Sequence, residues 1–243
     1  MKRVLLMLLP LFLCGAASFN GGSTGASTTG TLSFSTNVIT LSYWRLFLAT
    51  NAVVVLLETS ANASSVDNCF YASVEAPVTK EAWNVKGKAN NIFGLLDDII
   101  IGEWAHRVVV LDRSTSVGDL RAYTNGVTAS LRRPYPTFVN SAGTADFSNQ
   151  RFYVGARNNS ASFDMDGLIQ DLAIYAGEVS AAEAYSLGAQ RMSPRKVRSA
   201  KLLYYWPFCA GENPNNSPDL VGGIPINSGT KSITTEQAPT FRK

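Results

Sequence analysis

The stretch "GEWAHRVVVLDRSTSVGDLRAYTNGV", residues 102–127, decides the fold of this chain. Its apolar run Val108–Leu111 ends at Asp112 and a Ser/Thr/Gly-rich turn, after which "DLRAYT" alternates apolar and polar side chains and stops at Asn125-Gly126. An Asn-Gly pair supplies the two positive φ angles of a tight primed turn, so Leu120 to Thr124 is expected to fold back onto the segment that starts at Val127.

The same signals recur on both sides of this hairpin. "TLSFST", "VITLSYWRLFLA", "AVVVLLETS", "NCFYASVEAP", "AWNVKGK", "RFYVGAR" and "LIQDLAIYAG" are short, rich in β-branched and aromatic residues, and bounded by turn residues. Strands of this kind without intervening helices predict an all-β, two-sheet antiparallel sandwich or a barrel. One segment reads as a helix, near 181–190: Ser180 and Glu183 have the spacing of a capping box, the residues that follow are good helix formers, and Pro194 ends the run. "KLLYYWPF", 201–208, returns to strand and leads into a Gly, Pro and Asn-rich tail.

The beginning of the chain has another character. Residues 1–17 place Lys2 and Arg3 before an apolar run and then small residues, the layout of a secretory signal peptide cut near Ala17. The rival is a lipoprotein acylated at Cys14, for which Leu13 is a poor neighbour. The apolar run is too short to span a membrane. Residues 18–30, "SFNGGSTGASTTG", offer little to bury and read as a flexible leader, with a single ordered domain over 31–243. The expected localisation is therefore secreted or cell surface.

Removal of residues 1–17 leaves 19 basic against 18 acidic side chains, so no overall field attracts nucleic acid or anionic lipid. The run "RMSPRKVRSAK", 191–201, is basic but carries no interleaved aromatics and reads as a solvated connector rather than a polyanion site. Cys69 and Cys209 are left after cleavage; in an oxidising compartment they either pair or stay as two buried thiols.

Two blocks together resemble a known family. Residues 102–127 look like the Trp-x-His, apolar strand, Asp, Leu-x-x-Tyr-x-Asn-Gly pattern of laminin G-like, concanavalin A-like jelly rolls. "RFYVGARNNSASFDMDGLIQDLAIYAGEVSAAEAYSL", 151–187, looks like that family's next block, which ends in a short helix opened by Ser-x-x-Glu. "LLYYWPFCAGENPNNSPDLVGG" resembles the segment that usually opens such domains, yet here it comes last, which suggests that 202–208 completes the sandwich as in a circular permutation. Arg107 departs from the pattern, standing where the family has an apolar residue, and raises the question of which face of that strand is buried.

The resemblance implies a binding module for a glycan or a partner protein, or a structural or adhesion module of a bacterial surface or a phage particle. Hydrolytic relatives of the fold use paired carboxylates such as Glu-x-Asp-x-x-Glu, and no such run occurs here, so a glycoside hydrolase is the weaker reading and no catalytic residue is assigned. Calcium is a candidate ligand, because many relatives hold it at the rim, with Asp97-Asp98 and the Asp164-Met165-Asp166-Gly167 turn as places to look. The lone histidine, His106, reads as a structural hydrogen-bonding residue. Trp44, Trp104 and Trp206 lie in apolar strands and read as core. Trp83 and Tyr135, flanked by polar residues or prolines, are the candidate platforms for a sugar ring.

Overall fold

The structure, a computed structural model, describes residues 16–20, 25–49, 53–59, 68–75, 80–86, 91–114, 119–129, 146–147, 149–157, 163–208, 217–228 and 232–234. In chain order the strands are β1 (Ala16–Asn20), β2 (Ala26–Leu32), β3 (Val38–Ala49), β4 (Val54–Thr59), β5 (Cys69–Glu75), β6 (Lys80–Lys86), β7 (Asn91–Asp98) and β8 (Ala105–Asp112). They continue with β9 (Asp119–Thr124), β10 (Val127–Thr128), β11 (Gln150–Val154) and β12 (Asp166–Ala176), the helix α1 (Ala181–Gly188), and then β13 (Leu202–Trp206), β14 (Ile226–Ser228) and β15 (Ser232–Thr234). These strands form two antiparallel sheets, one ordered β10-β9-β8-β3-β12-β1-β15 with β13 also on β12, the other β14-β2-β11-β4-β5-β6-β7.

The expected hairpin is present. Asn125 and Gly126 have φ of 51° and 82°, and Thr124 pairs with Val127. The capping box is present too: Ser180 Oγ accepts from the Glu183 amide, and Glu183 accepts from the Ser180 amide at 2.8 Å.

Strand β8 answers the question raised by Arg107, because both of its faces are covered. Val109 and Leu111 point between the sheets, while Val108 and Val110 lie in a second apolar cluster with Ala184 and Leu187 of α1. A strand buried on both sides reads as an unbroken apolar run, which is why "RVVVL" does not alternate. Arg107 shares the face of Val109 and Leu111 and therefore enters the space between the sheets.

Strand β12 changes face midway. Ile169 belongs to the central core, but so do Leu172 and Ile174, a shift of parity that coincides with a register break between Gln170 and Ala173 and with Asp171 at φ 51°. This bulge divides one edge of β12 in two. Ahead of it, Asp166–Ile169 pairs with β1; beyond it, Leu172–Tyr175 pairs with β13. The Tyr205 hydroxyl of β13 donates to the Asp171 carboxylate at 2.5 Å, so the bulge residue also ties down the C-terminal strand.

The described residues within 18–30 differ from the flexible leader expected there. Ala16–Asn20 pairs with both β12 and β15, and Ala26–Leu32 pairs with β11 and β14. Small side chains suffice because neighbouring strands supply the bulk: Ala26 and Leu32 join the central core, and Thr28 Oγ1 accepts from the Phe152 amide at 3.0 Å. Composition undervalues such strands, since backbone pairing does not require large side chains. Processing near Ala17 would shorten β1 to Ser18–Asn20.

The helix meets the hairpin through two glycines. A Cβ on Gly188 would lie 2.4 Å from the Gly126 amide nitrogen, and one on Gly126 would lie 2.8 Å from the Tyr185 Cα. Gly188→Ala is therefore expected to lower stability by about 1–3 kcal/mol through overpacking. Gly30→Ala, where a Cβ meets nothing within 4 Å, is expected to be neutral or slightly stabilising. Chemical denaturation midpoints of the two variants check this contrast.

Candidate functional site

At one end of the sandwich the space between the sheets is ionic rather than apolar. Arg45 of β3 and Arg107 of β8 enter from one sheet and Glu81 of β6 from the other, all of them buried. Glu81 accepts from Arg45 Nε at 3.2 Å, from Arg107 Nε at 3.1 Å and from Trp83 Nε1 at 2.8 Å, and the Tyr43 hydroxyl donates to it as well. Arg107 also donates to Thr124 Oγ1, and the Arg45 guanidinium lies 5.1 Å from the Phe47 ring centre.

Burial by itself would raise the Glu81 pKa. The guanidiniums of Arg107 and Arg45, with the hydrogen bonds from Tyr43 and Trp83, outweigh it and hold the carboxyl below its ordinary range. Burial pushes the Tyr43 phenol up, and the Glu81 charge beside it adds to the shift. Glu81 is thus a fixed anion: it accepts four donors and is poorly suited to give up a proton near neutrality.

Next to this cluster two adjoining cavities open at the sandwich end. One, of about 90 Å³, is lined by Arg45, Arg107, Thr124 and Asn125 together with Asp98, Ile100, Glu103, Trp104 and Ala105. The other, of about 230 Å³, is lined by Trp44, Trp104, Asn125, Gly188, Ala189 and Arg191. Trp104 and Asn125 belong to both walls, so the pair forms one cleft that turns around the start of β8. Half-buried Trp104 packs on Ala16, Leu46 and Leu168. Asn125 is held by the hairpin, its Oδ1 accepting from the His106 amide at 2.8 Å. Ile100, on the wall of the smaller cavity, is 58% exposed, and Ile101 and Leu48 are exposed as well.

His106 has the structural role expected of it. Its Nε2 lies 3.0 Å from Ser42 Oγ and its ring 5.0 Å from that of Trp44. Burial, followed by the Arg107 charge, pushes its pKa down to about 3.

The sites nominated from sequence are distributed differently. Trp83 is not a surface platform: it is fully buried, packed near Tyr43 and Phe70, and its indole N–H is used by Glu81. Its polar flanks misled because β6 alternates, and Glu81, Trp83 and Val85 all face inward. Tyr135 and Cys209 lie outside the described residues, as do the Asp97 side chain and any pairing of Cys209; Cys69 is buried. Asp98 is ion-paired with Lys80. Asp164 is buried with neither carboxylate oxygen hydrogen-bonded among the described residues, and Asp166 is half-buried at the start of β12. Among the described residues no three His, Cys, Asp or Glu side chains converge as a metal site. Glu178 pairs with Arg121, and Glu183 with its cap and with Arg198 at 3.3 Å. Sequence reading placed Trp104 in the core and left Arg45 without a role. Its signal was a charged residue inside the apolar run "SYWRLFLA".

The chain belongs to the concanavalin A-like lectin/glucanases superfamily, whose family model matches residues 20–184. None of the curated proteins matches it in sequence. Among solved structures, a Bacteroides ovatus protein named for carbohydrate binding is similar with a TM-score of 0.67 and 15% identity. That match covers 95% of this chain and 62% of the other, so the chain spans less than two thirds of that relative's length. A heptameric pentraxin from Limulus polyphemus is similar with a TM-score of 0.57 and 13% identity over 76% of this chain and 85% of the other. Tailspike protein 2 of an Escherichia coli O157:H7 bacteriophage is similar with a TM-score of 0.51 and 12% identity, over 79% of this chain and 29% of the other. At these identities the likeness concerns the fold. No helix among the described residues is long and apolar enough to cross a membrane.

Two outcomes test the electrostatics of this end of the sandwich. Glu81→Gln leaves two buried guanidiniums without their anion and is expected to cost about 3–5 kcal/mol in denaturant unfolding. His106 is held neutral in the folded chain, so acid protonates the unfolded chain first. Its contribution is complete above about pH 6.5 and is lost as the pH falls towards 3, with a slope approaching ~1.4 kcal/mol per pH unit. Thermal midpoints between pH 7 and 5 should fall in the parent chain and be flatter in His106→Gln.

Proposed function

We propose that this chain is an exported, non-catalytic module that binds a glycan in the cleft beside Trp104. The observation that carries this reading is a half-buried tryptophan shared by two adjoining cavities, with a fixed amide, Asn125, next to it. An aromatic face stacks on the C–H faces of a sugar ring, and nearby amides and guanidiniums read its hydroxyls. The superfamily and a relative named for carbohydrate binding support the same class of ligand. The lack of a Glu-x-Asp-x-x-Glu or Glu-x-Asp-x-Glu run in the sequence supports a binding role over hydrolysis. Export rests on the signal-like residues 1–17. Calcium stays a candidate through Asp164, whose buried carboxylate has no hydrogen-bond partner among the described residues.

A partner protein is the second reading, favoured by the exposed apolar residues Leu48, Ile100 and Ile101. A chain that self-associates on sizing and binds no saccharide would favour it.

The test is a glycan-array screen in calcium and again in chelator, followed by titration of the best ligand. Trp104→Ala is expected to weaken binding at least about tenfold, or ~1.4 kcal/mol, with the fold retained. Unchanged affinity in Trp104→Ala, alongside a loss in Tyr135→Ala, would move the site away from this cleft.

A further inference from the structure

Arg45 is only partly used by the protein around it. Its Nε is bound to Glu81, but its two terminal amino groups have no hydrogen-bond partner among the described residues, and the side chain is 2% exposed and lines the 90 Å³ cavity. A buried guanidinium with unfilled donors is costly unless something completes its shell. Two acids share the cavity wall with it. Asp98 is engaged by Lys80, and Glu103 is exposed at the mouth, where water and salt screen it.

From this geometry we propose that the smaller cavity is a carboxylate subsite, so that the glycan taken up in the cleft is an acidic one, a uronic acid-type sugar. Its carboxylate fits the planar donor fork of Arg45, which favours bidentate recognition, while its ring lies against Trp104. The assignment rests on the glycan-binding reading above and narrows it to a substrate class.

Titration calorimetry of the full chain with oligogalacturonates and oligoglucuronates, and with their methyl esters, tests it. The acids should bind at least tenfold more tightly than the esters, and added salt should weaken the acids alone. Glu103→Gln, which removes a like charge from the cavity mouth, should tighten the acids about two- to threefold. Arg45→Lys, which keeps the charge beside Glu81 but loses the fork, should weaken the acids about tenfold. Its far-UV spectrum should match that of the parent chain. Equal binding of acids and esters, or binding of neutral glycans only, overturns the carboxylate subsite and leaves the glycan-binding reading standing. If no saccharide of either kind binds, both fall.

Discussion

Glu81 is the point at which the two sheets are held together by charge. Over most of the interface the sheets meet through apolar packing, with Phe70, Phe152 and Trp206 among the fully buried rings. At the Glu81 end, one carboxylate of β6 accepts from a tyrosine and an arginine of β3, an arginine of β8 and a tryptophan of its own strand. Burying three charges costs several kcal/mol per ion before the pairing recovers it, so an apolar cluster of similar volume would hold the sheets at least as well. What the ionic arrangement adds is a fixed geometry. It sets β6 against β3 and β8, and it holds polar groups at the wall of a cleft that an all-apolar core would close.

The second constraint is the divided edge of β12. Its bulge at Asp171 lets a strand from each end of the chain complete one sheet side by side, with β1 before the bulge and β13 after it. Residues remote in sequence are thereby committed to one sheet. The same sheet carries α1 on its outer face, and the close approach of Gly188 to Gly126 brings the helix end beside the hairpin that positions Asn125. The larger cavity is the space left between these parts.

Much of the framework was legible in the sequence because it is written in local chemistry. Asn125-Gly126 demands a primed turn, Ser180 with Glu183 demands a helix start, and short β-branched runs demand strands. Strands built of small residues were not legible, since "ASTTGTL" pairs through its backbone while its neighbours provide the bulk. The site was least legible of all. Trp83, with polar flanks, is buried, and Trp104, beside an apolar run, lines a cleft; only the register of β6 and the place where β8 begins decide this. Arg45, Glu81 and Arg107 come from three strands, and their meeting is a property of the sandwich rather than of any short stretch. Arg45 and Arg107, charges in apolar runs, were the local signs of it.

The most direct measurement of the central claim is amide hydrogen exchange of the chain with and without a saturating oligosaccharide. Slowed exchange is expected over residues 100–107 and at Asn125-Gly126, where the cavity walls meet. Slowed exchange confined to β2 and β14, with these segments unchanged, would contradict it and place the ligand elsewhere on the sandwich.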